Sequence, residues 1–208
     1  MSPRPRKATD DDILRATFRA LARRGPGRLT LADVADEAGV SAAALVHRFG
    51  SKRALLLTAA ADVATGADYI FPDLRLRHRS PVRALLGLAD CMSELLGSTP
   101  VGITHSLAFL QMHLTDPQFH RHALAASAGM RAGISSLVQD AMLAGEIEPC
   151  PPGPLASVLH AALSGSLANW VIHRTGDPAA WVRRDLRAVL VPYRTSSRPA
   201  RTRRGARG

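Results

Sequence analysis

The chain has 208 residues, enough for one or two domains with a substantial core. Aromatic residues make up only 4% while alanine and leucine abound, so helices are favoured over sheets. Two distant cysteines, Cys91 and Cys150, with no CxxC pair, exclude a disulfide framework, and a formal net charge of +10 directs attention to polyanions.

That charge sits at the two ends. Residues 1–67 carry eleven Lys or Arg against seven Asp or Glu, and residues 68–193 carry ten of each. Residues 194–208 carry six arginines and no acid. Nucleic acid is therefore expected to meet the ends, and something uncharged the middle. The N-terminus is basic and polar without an apolar run, so no signal peptide is read there.

In chain order, Arg4, Arg6 and Lys7 form an arm expected to lie along a duplex. A first helix follows from Asp12, with Ile13, Leu14, Ala16, Thr17, Ala20 and Leu21 as its buried stripe and Gly25 as its stop. Residues 30–55, TLADVADEAGVSAAALVHRFGSKRAL, carry the strongest signal. Thr30 and Asp33 make a variant capping box, and Leu31, Val34, Ala35 and Ala38 share one face. Gly39 stops that helix and Ser41 caps the next, whose Leu45 and Phe49 turn inward. Helix, glycine turn, helix at this spacing sets a recognition helix in the DNA major groove. Ala43 and His47 then point outward, flanked by Ala44, Val46 and Arg48. The methyl groups suit thymine, while His47 and Arg48 can hydrogen-bond bases or phosphates. Amides around Arg28 and Thr30 offer a further phosphate anchor.

Beyond this module the reading is helical throughout. Ser51 caps a linking helix that carries Leu55, Leu56, Ala59, Ala60 and Val63 towards Gly66. Residues 68–80, with Pro72, read as a connection or short broken helix. Further helices are expected over 81–96, to 114, from 117 to about 144, over 155–174 and from 178 to about 191. No internal repeat is visible. Segments 95–115 and 149–173 hold no Asp, Glu, Lys or Arg, yet both contain Pro, Gly, Ser and His, so a membrane span is the poorer reading. Leu155, Val158, Leu159, Ala162 and Leu163 line one broad apolar side, faced by Trp181, Leu186, Val189 and Leu190. That pairing serves either an intrachain hairpin or a subunit interface.

The order I-L-x-A-T-x-x-A-L, then G-x-x-x-x-T, then L-A-D-V-A-x-x-A-G-V-S, then L-V-x-R-F-x-S-K-x-x-L-L resembles the N-terminal signature of TetR-family (TetR/AcrR-like) transcriptional regulators, over about residues 10–60. The family usually has a phosphate-contacting tyrosine where Val46 stands, so that contact does not carry over. The resemblance implies an all-α fold of about nine helices. It comprises a three-helix DNA-binding domain with its linking helix (1–67), a helical effector-binding and dimerisation domain (68–193) and a basic tail (194–208) expected to be disordered. Lys52 matches the family lysine that contacts phosphate, which makes Arg28, Thr30, Ser41, Ala43, Ala44, His47, Arg48 and Lys52 the DNA-binding candidates. The last two helices are expected to form a four-helix bundle with a second copy, and a homodimer would place two recognition helices on a palindromic operator.

The family also implies a small-molecule pocket in the second domain. Candidate lining residues from the uncharged middle are Cys91, Met92, Leu95, Phe109, Met112, His113, Phe119, Met130, Ile134, Asn169 and Trp170, favouring a mostly apolar effector. His113, Asp116, His120 and His122 crowd one junction but match no zinc-site spacing, and neither a metal nor a cofactor is expected. Nucleophile-elbow and Walker motifs are missing, and Gly25-Pro26-Gly27 follows a helix, which argues against an enzyme. The expected function is a cytoplasmic, ligand-responsive repressor. The alternatives are an architectural DNA-binding protein with little sequence preference, or a small-molecule sensor without an operator.

Overall fold

The computed structural model describes residues 8–96 and 99–195, and the arm at Arg4, Arg6 and Lys7 and most of the arginine-rich tail lie outside them. The described residues form ten α-helices and one short 3-10 turn. A head contains α1 (Asp10–Arg24), α2 (Leu31–Ala38) and α3 (Ala42–Phe49), and α4 (Lys52–Thr65) leads out of it. The body contains α5 (Ala67–Arg77), α6 (Pro81–Leu96), α7 (Pro100–Thr115), α8 (Pro117–Leu143), α9 (Pro152–His173) and α10 (Pro178–Leu190).

The helix beyond the nine expected is α5, the segment read as a connection or short broken helix. Pro72 lies inside α5, where it lacks the N–H that a helix interior uses, yet α5 persists because Phe71 and Leu74 are buried. α4 and α5 meet at Gly66 with a 42° bend and run together along α8. Gly129 faces Ala64 and Ala67, and the Phe71 ring lies so close to Gly133 that an added Cβ would sit 2.0 Å from it. Further along, Arg75 donates to Asp140 at 2.9 Å and to Ser136 at 2.8 Å.

Two apolar cores result. The body core joins Phe71, Leu85, Leu88, Ile134, Leu137, Leu159, Leu163, Trp170 and Leu186, among others. The head core joins Ile13, Leu21, Val34, Leu45, Leu55 and Leu56, and it also contains Phe109 of α7 and Phe119 of α8. Packing therefore crosses the boundary drawn at residue 67, because the head alone does not cover its own apolar surface.

α9 is long and apolar enough to cross a membrane by length and composition. Leu155, Ala156, Leu159, Leu163, Leu167 and Trp170 nevertheless face the body core. The hairpin with α10 is fastened by Ser166 donating to Asp185 at 2.6 Å and Trp170 Nε1 donating to the Gly176 carbonyl at 3.1 Å. The expected interface set is corrected on this point. Leu155, Leu159, Leu163, Leu186 and Leu190 are buried inside their own subunit, Ala162, Trp181 and Val189 are half-buried, and only Val158 is exposed, at 53%. Both sides of α9 are apolar or small, and α7, α8 and α10 take the side with the larger residues.

Candidate nucleic-acid interface

The head is built from local signals. At the start of α2 the Asp33 amide donates to Thr30 Oγ1 at 3.1 Å, while the Thr30 amide and hydroxyl donate to the Asp33 carboxylate at 2.9 and 2.6 Å. Those bonds hold the Asp33 carboxyl below its usual range, with Arg24 nearby adding to the effect. Gly39 ends α2 at φ 67°, ψ 33°, the left-handed region where a Cβ is unfavourable. Ser41 Oγ then accepts from the Ala44 amide at 3.1 Å and opens α3. Leu45 is fully buried and Phe49 half-buried, which fixes the roll of α3 on the head core.

That roll exposes Ala43, Ala44, Val46, His47 and Arg48 together, as the helical wheel requires. Ser41, Thr30 and Arg28 are exposed nearby, so the structure gathers the expected candidates onto the head. Three of them are already engaged. The Thr30 amide and hydroxyl are taken by Asp33, which leaves Arg28 and the following amides as the anion-facing groups there. Lys52 Nζ donates to the Pro26 carbonyl at 3.0 Å, tying the start of α4 to the turn after α1 and leaving two N–H bonds free. Arg48 is bound to Asp10 and to the Ala8 carbonyl at the start of α1. Beside it a groove of about 580 Å³ runs between α1 and α3, lined by Ala8, Thr9, Ile13, Val40, Ala44, His47 and Arg48.

Sequence reasoning missed the parts that brace this surface. Glu37 receives both Arg19 and Arg23 across α1 and α2, and the Arg19 hydrogen bond comes first among the causes that hold its carboxyl low. Thr9 and Asp12 form a second capping box, legible in the Thr-x-x-Asp spacing. Arg53 reaches Asp116 and Gln118 at the start of α8 and lies 5.6 Å from the Phe119 ring centroid. His105 Nδ1 lies 2.8 Å from the Ala22 carbonyl, which can only accept, so that nitrogen carries the proton. The ring also covers Gly25, whose φ of 74° and close contact suit only glycine. None of these long-range pairs has a spacing signature.

The eleven expected ligand residues separate. Cys91, Ile134 and Trp170 share the body core, with Met92 and Met130 packed against it. Phe109, Met112 and Phe119 belong instead to the head core, with His113 buried against both phenylalanine rings, which also touch each other. Leu95 and Asn169 are exposed. The histidine junction does not converge either: Asp116 serves Arg53 and caps α8, His113 is buried and His120 is exposed. Among the described residues no three His, Cys, Asp or Glu side chains gather around a common point.

Residues 13–59 match the family described as bacterial regulatory proteins, tetR family. The whole fold is similar to a TetR transcription regulator from Haloarcula marismortui, at 20% identity and TM-score 0.68, covering 89% of this chain and 98% of that one. It is similar to SmeT, the repressor of the Stenotrophomonas maltophilia multidrug efflux pump SmeDEF, at 19% identity and TM-score 0.63, covering 92% and 93%. It is also similar to the transcriptional regulator FadR from Bacillus subtilis, solved with stearoyl-CoA, at 14% identity and TM-score 0.64, covering 87% and 97%. No curated protein matches the chain by sequence.

Proposed function

This chain belongs to the TetR family of DNA-binding transcriptional regulators, and from that premise we propose that it is a cytoplasmic, ligand-released repressor acting as a homodimer on a palindromic operator. The observation that carries this reading is the shared core: the α3 face that would read DNA rests on a head whose interior includes Phe109 and Phe119 of the body. A displacement of α7 or the start of α8 is passed to α3 through α1, α2 and α4. An effector that favours a different placement of those helices lowers operator affinity by its differential affinity, typically 1–3 kcal/mol.

The effector is proposed to bind in the body around α6 and α8, where Cys91, Ile134 and Trp170 share one core and Met92 and Met130 pack against it. The buried Ser93 hydroxyl beside Met92 has no hydrogen-bond partner among the described residues, and it suits one polar group on an otherwise apolar ligand. Similarity to a regulator solved with an acyl-CoA and to the repressor of an efflux pump is compatible with that chemistry. The dimer is proposed to form through the outer face of α9. There Val158, Ala161, Gly165 and Ile172 are exposed at helical spacing, and a Cβ at Gly165 would meet nothing within the subunit.

Titration of the purified protein against DNA upstream of its own gene, with an unrelated duplex as control, tests the reading. Selectivity of at least about 10³-fold is expected. Reversing His47 and Arg28 to Glu should abolish it. Equal binding to both duplexes would favour an architectural protein, and no salt-dependent binding to either would favour a sensor that does not act on DNA.

A further inference from the structure

Arg48 is the strongest hydrogen-bond donor on the outer face of α3, yet its guanidinium is held by the neighbouring helix. Nε pairs with the Asp10 carboxylate, and Nη1 donates to the Ala8 carbonyl at 2.8 Å. Both partners stand at the start of α1, so the side chain lies across the gap between α1 and α3 and walls the groove described above. The Ala8 bond takes one of the five guanidinium N–H bonds and Nε lies against the Asp10 carboxylate, which leaves the Nη2 N–H bonds to meet another acceptor.

Asp10 supplies no cap hydrogen bond to α1, and it shares with Asp11 and Asp12 the modest favourable charge at the helix start. The helix start is capped by Thr9 and Asp12, whose amide and carboxylate bonds are complete without it. The Asp10 side chain is 61% exposed and packs on no core. Its negative charge instead sits on a face that must approach phosphates, which opposes DNA binding unless it serves another end.

We propose that Asp10 sets specificity by restraining Arg48. This rests on the regulator reading above. A free arginine on a long side chain finds a phosphate on any duplex, which adds sequence-independent affinity with counterion release. An arginine anchored along α1 presents one fixed edge, and it contributes only where the duplex offers acceptors matched to that edge. Asp10 is a positioning residue here and does not itself touch DNA.

The test compares full-length wild type, Asp10→Asn, Arg48→Gln and the double variant, each titrated with the selected and the unrelated duplex across a salt series. For Asp10→Asn, affinity for the unrelated duplex should rise about 3- to 10-fold, and the slope of log affinity against log salt should steepen by about one unit. The ratio of selected to unrelated binding should fall, and the gain should vanish in the Arg48→Gln background. The same gain in that background would show a plain charge effect and overturn the proposal, as would unchanged binding of Asp10→Asn to both duplexes. A thermal midpoint for Asp10→Asn close to that of wild type is expected, and a large drop with uniformly weakened binding would assign the pair a structural role instead. Failure of the wild type to prefer any duplex would sink the regulator reading itself, an outcome distinct from a selective wild type that Asp10→Asn leaves unaltered.

Discussion

His113 shows how one buried side chain can connect solution conditions to the joint between head and body. Its ring lies 4.6 Å from Phe109 and 5.5 Å from Phe119, centroid to centroid, and its Nε2 has no hydrogen-bond partner among the described residues. Burial pushes its pKa below the ordinary 6.5, and the nearby His122 adds to the effect. The unfolded chain therefore binds the proton more readily than the folded one. This contribution favours folding least in acid: stability is at its full value above about pH 6.5 and declines as pH falls below it. We expect the thermal midpoint to drop between about pH 7.5 and about pH 5.5, with a smaller drop for His113→Phe, which keeps the aromatic packing without a titrating group. His160, also lowered by burial and by Arg131, supplies a residual slope. Unfolding curves with identical pH dependence for both proteins would remove His113 from this role.

At the scale of the helix, α9 presents a choice that its sequence leaves open. Leu155, Leu159 and Leu163 make one apolar side, while Val158, Ala161, Gly165 and Ile172 make another. The leucine side is inside because it fills the space between α8 and α10, and the small side remains outside, where a second α9 can approach closely. Gly165→Glu should then yield a monomer with unchanged helical content, read by sedimentation and circular dichroism. Leu159→Ala should instead destabilise the subunit by about 2–5 kcal/mol. A Gly165→Glu protein that stays dimeric would move the interface elsewhere.

Across the whole molecule, Thr195, which precedes the arginine-rich tail, and α3 lie towards opposite ends of α8. The start of α8 is bound to the head through Arg53, and its 27 residues span about 40 Å. Just past its far end, Thr195 donates to the Gly145 carbonyl at 2.9 Å, and the Glu148 amide donates to the Tyr193 carbonyl at 2.7 Å. From Thr195 even a fully extended chain reaches Arg198 within about 11 Å and Arg207 within about 43 Å. That reach falls short of the length of α8 for all of these arginines but Arg207. Replacing Arg198, Arg201, Arg203, Arg204 and Arg207 by Gln is expected to change affinity for a short operator duplex by less than about twofold at physiological salt. A larger loss, measured by the same titration, would mean that the tail folds back to the head.

Local signals alone determined most of the architecture of this chain. Caps at Thr30, Ser41 and Ser51, the stop at Gly39 and the inward pair Leu45 and Phe49 are set by neighbours within one or two turns. The outward face of α3 was legible for that reason, as were nine of the ten helices among the described residues. Pro72 obscured α5, because a proline lowers local helix preference and only Phe71 and Leu74 packing into the body core overrides it. What the tertiary structure decided is every matter of partnership. It determined which side of α9 is buried, that Phe109 and Phe119 underlie the head, and that Asp10 holds Arg48. Those pairings join residues far apart in the chain, and no periodicity within one helix specifies which other helix will cover it.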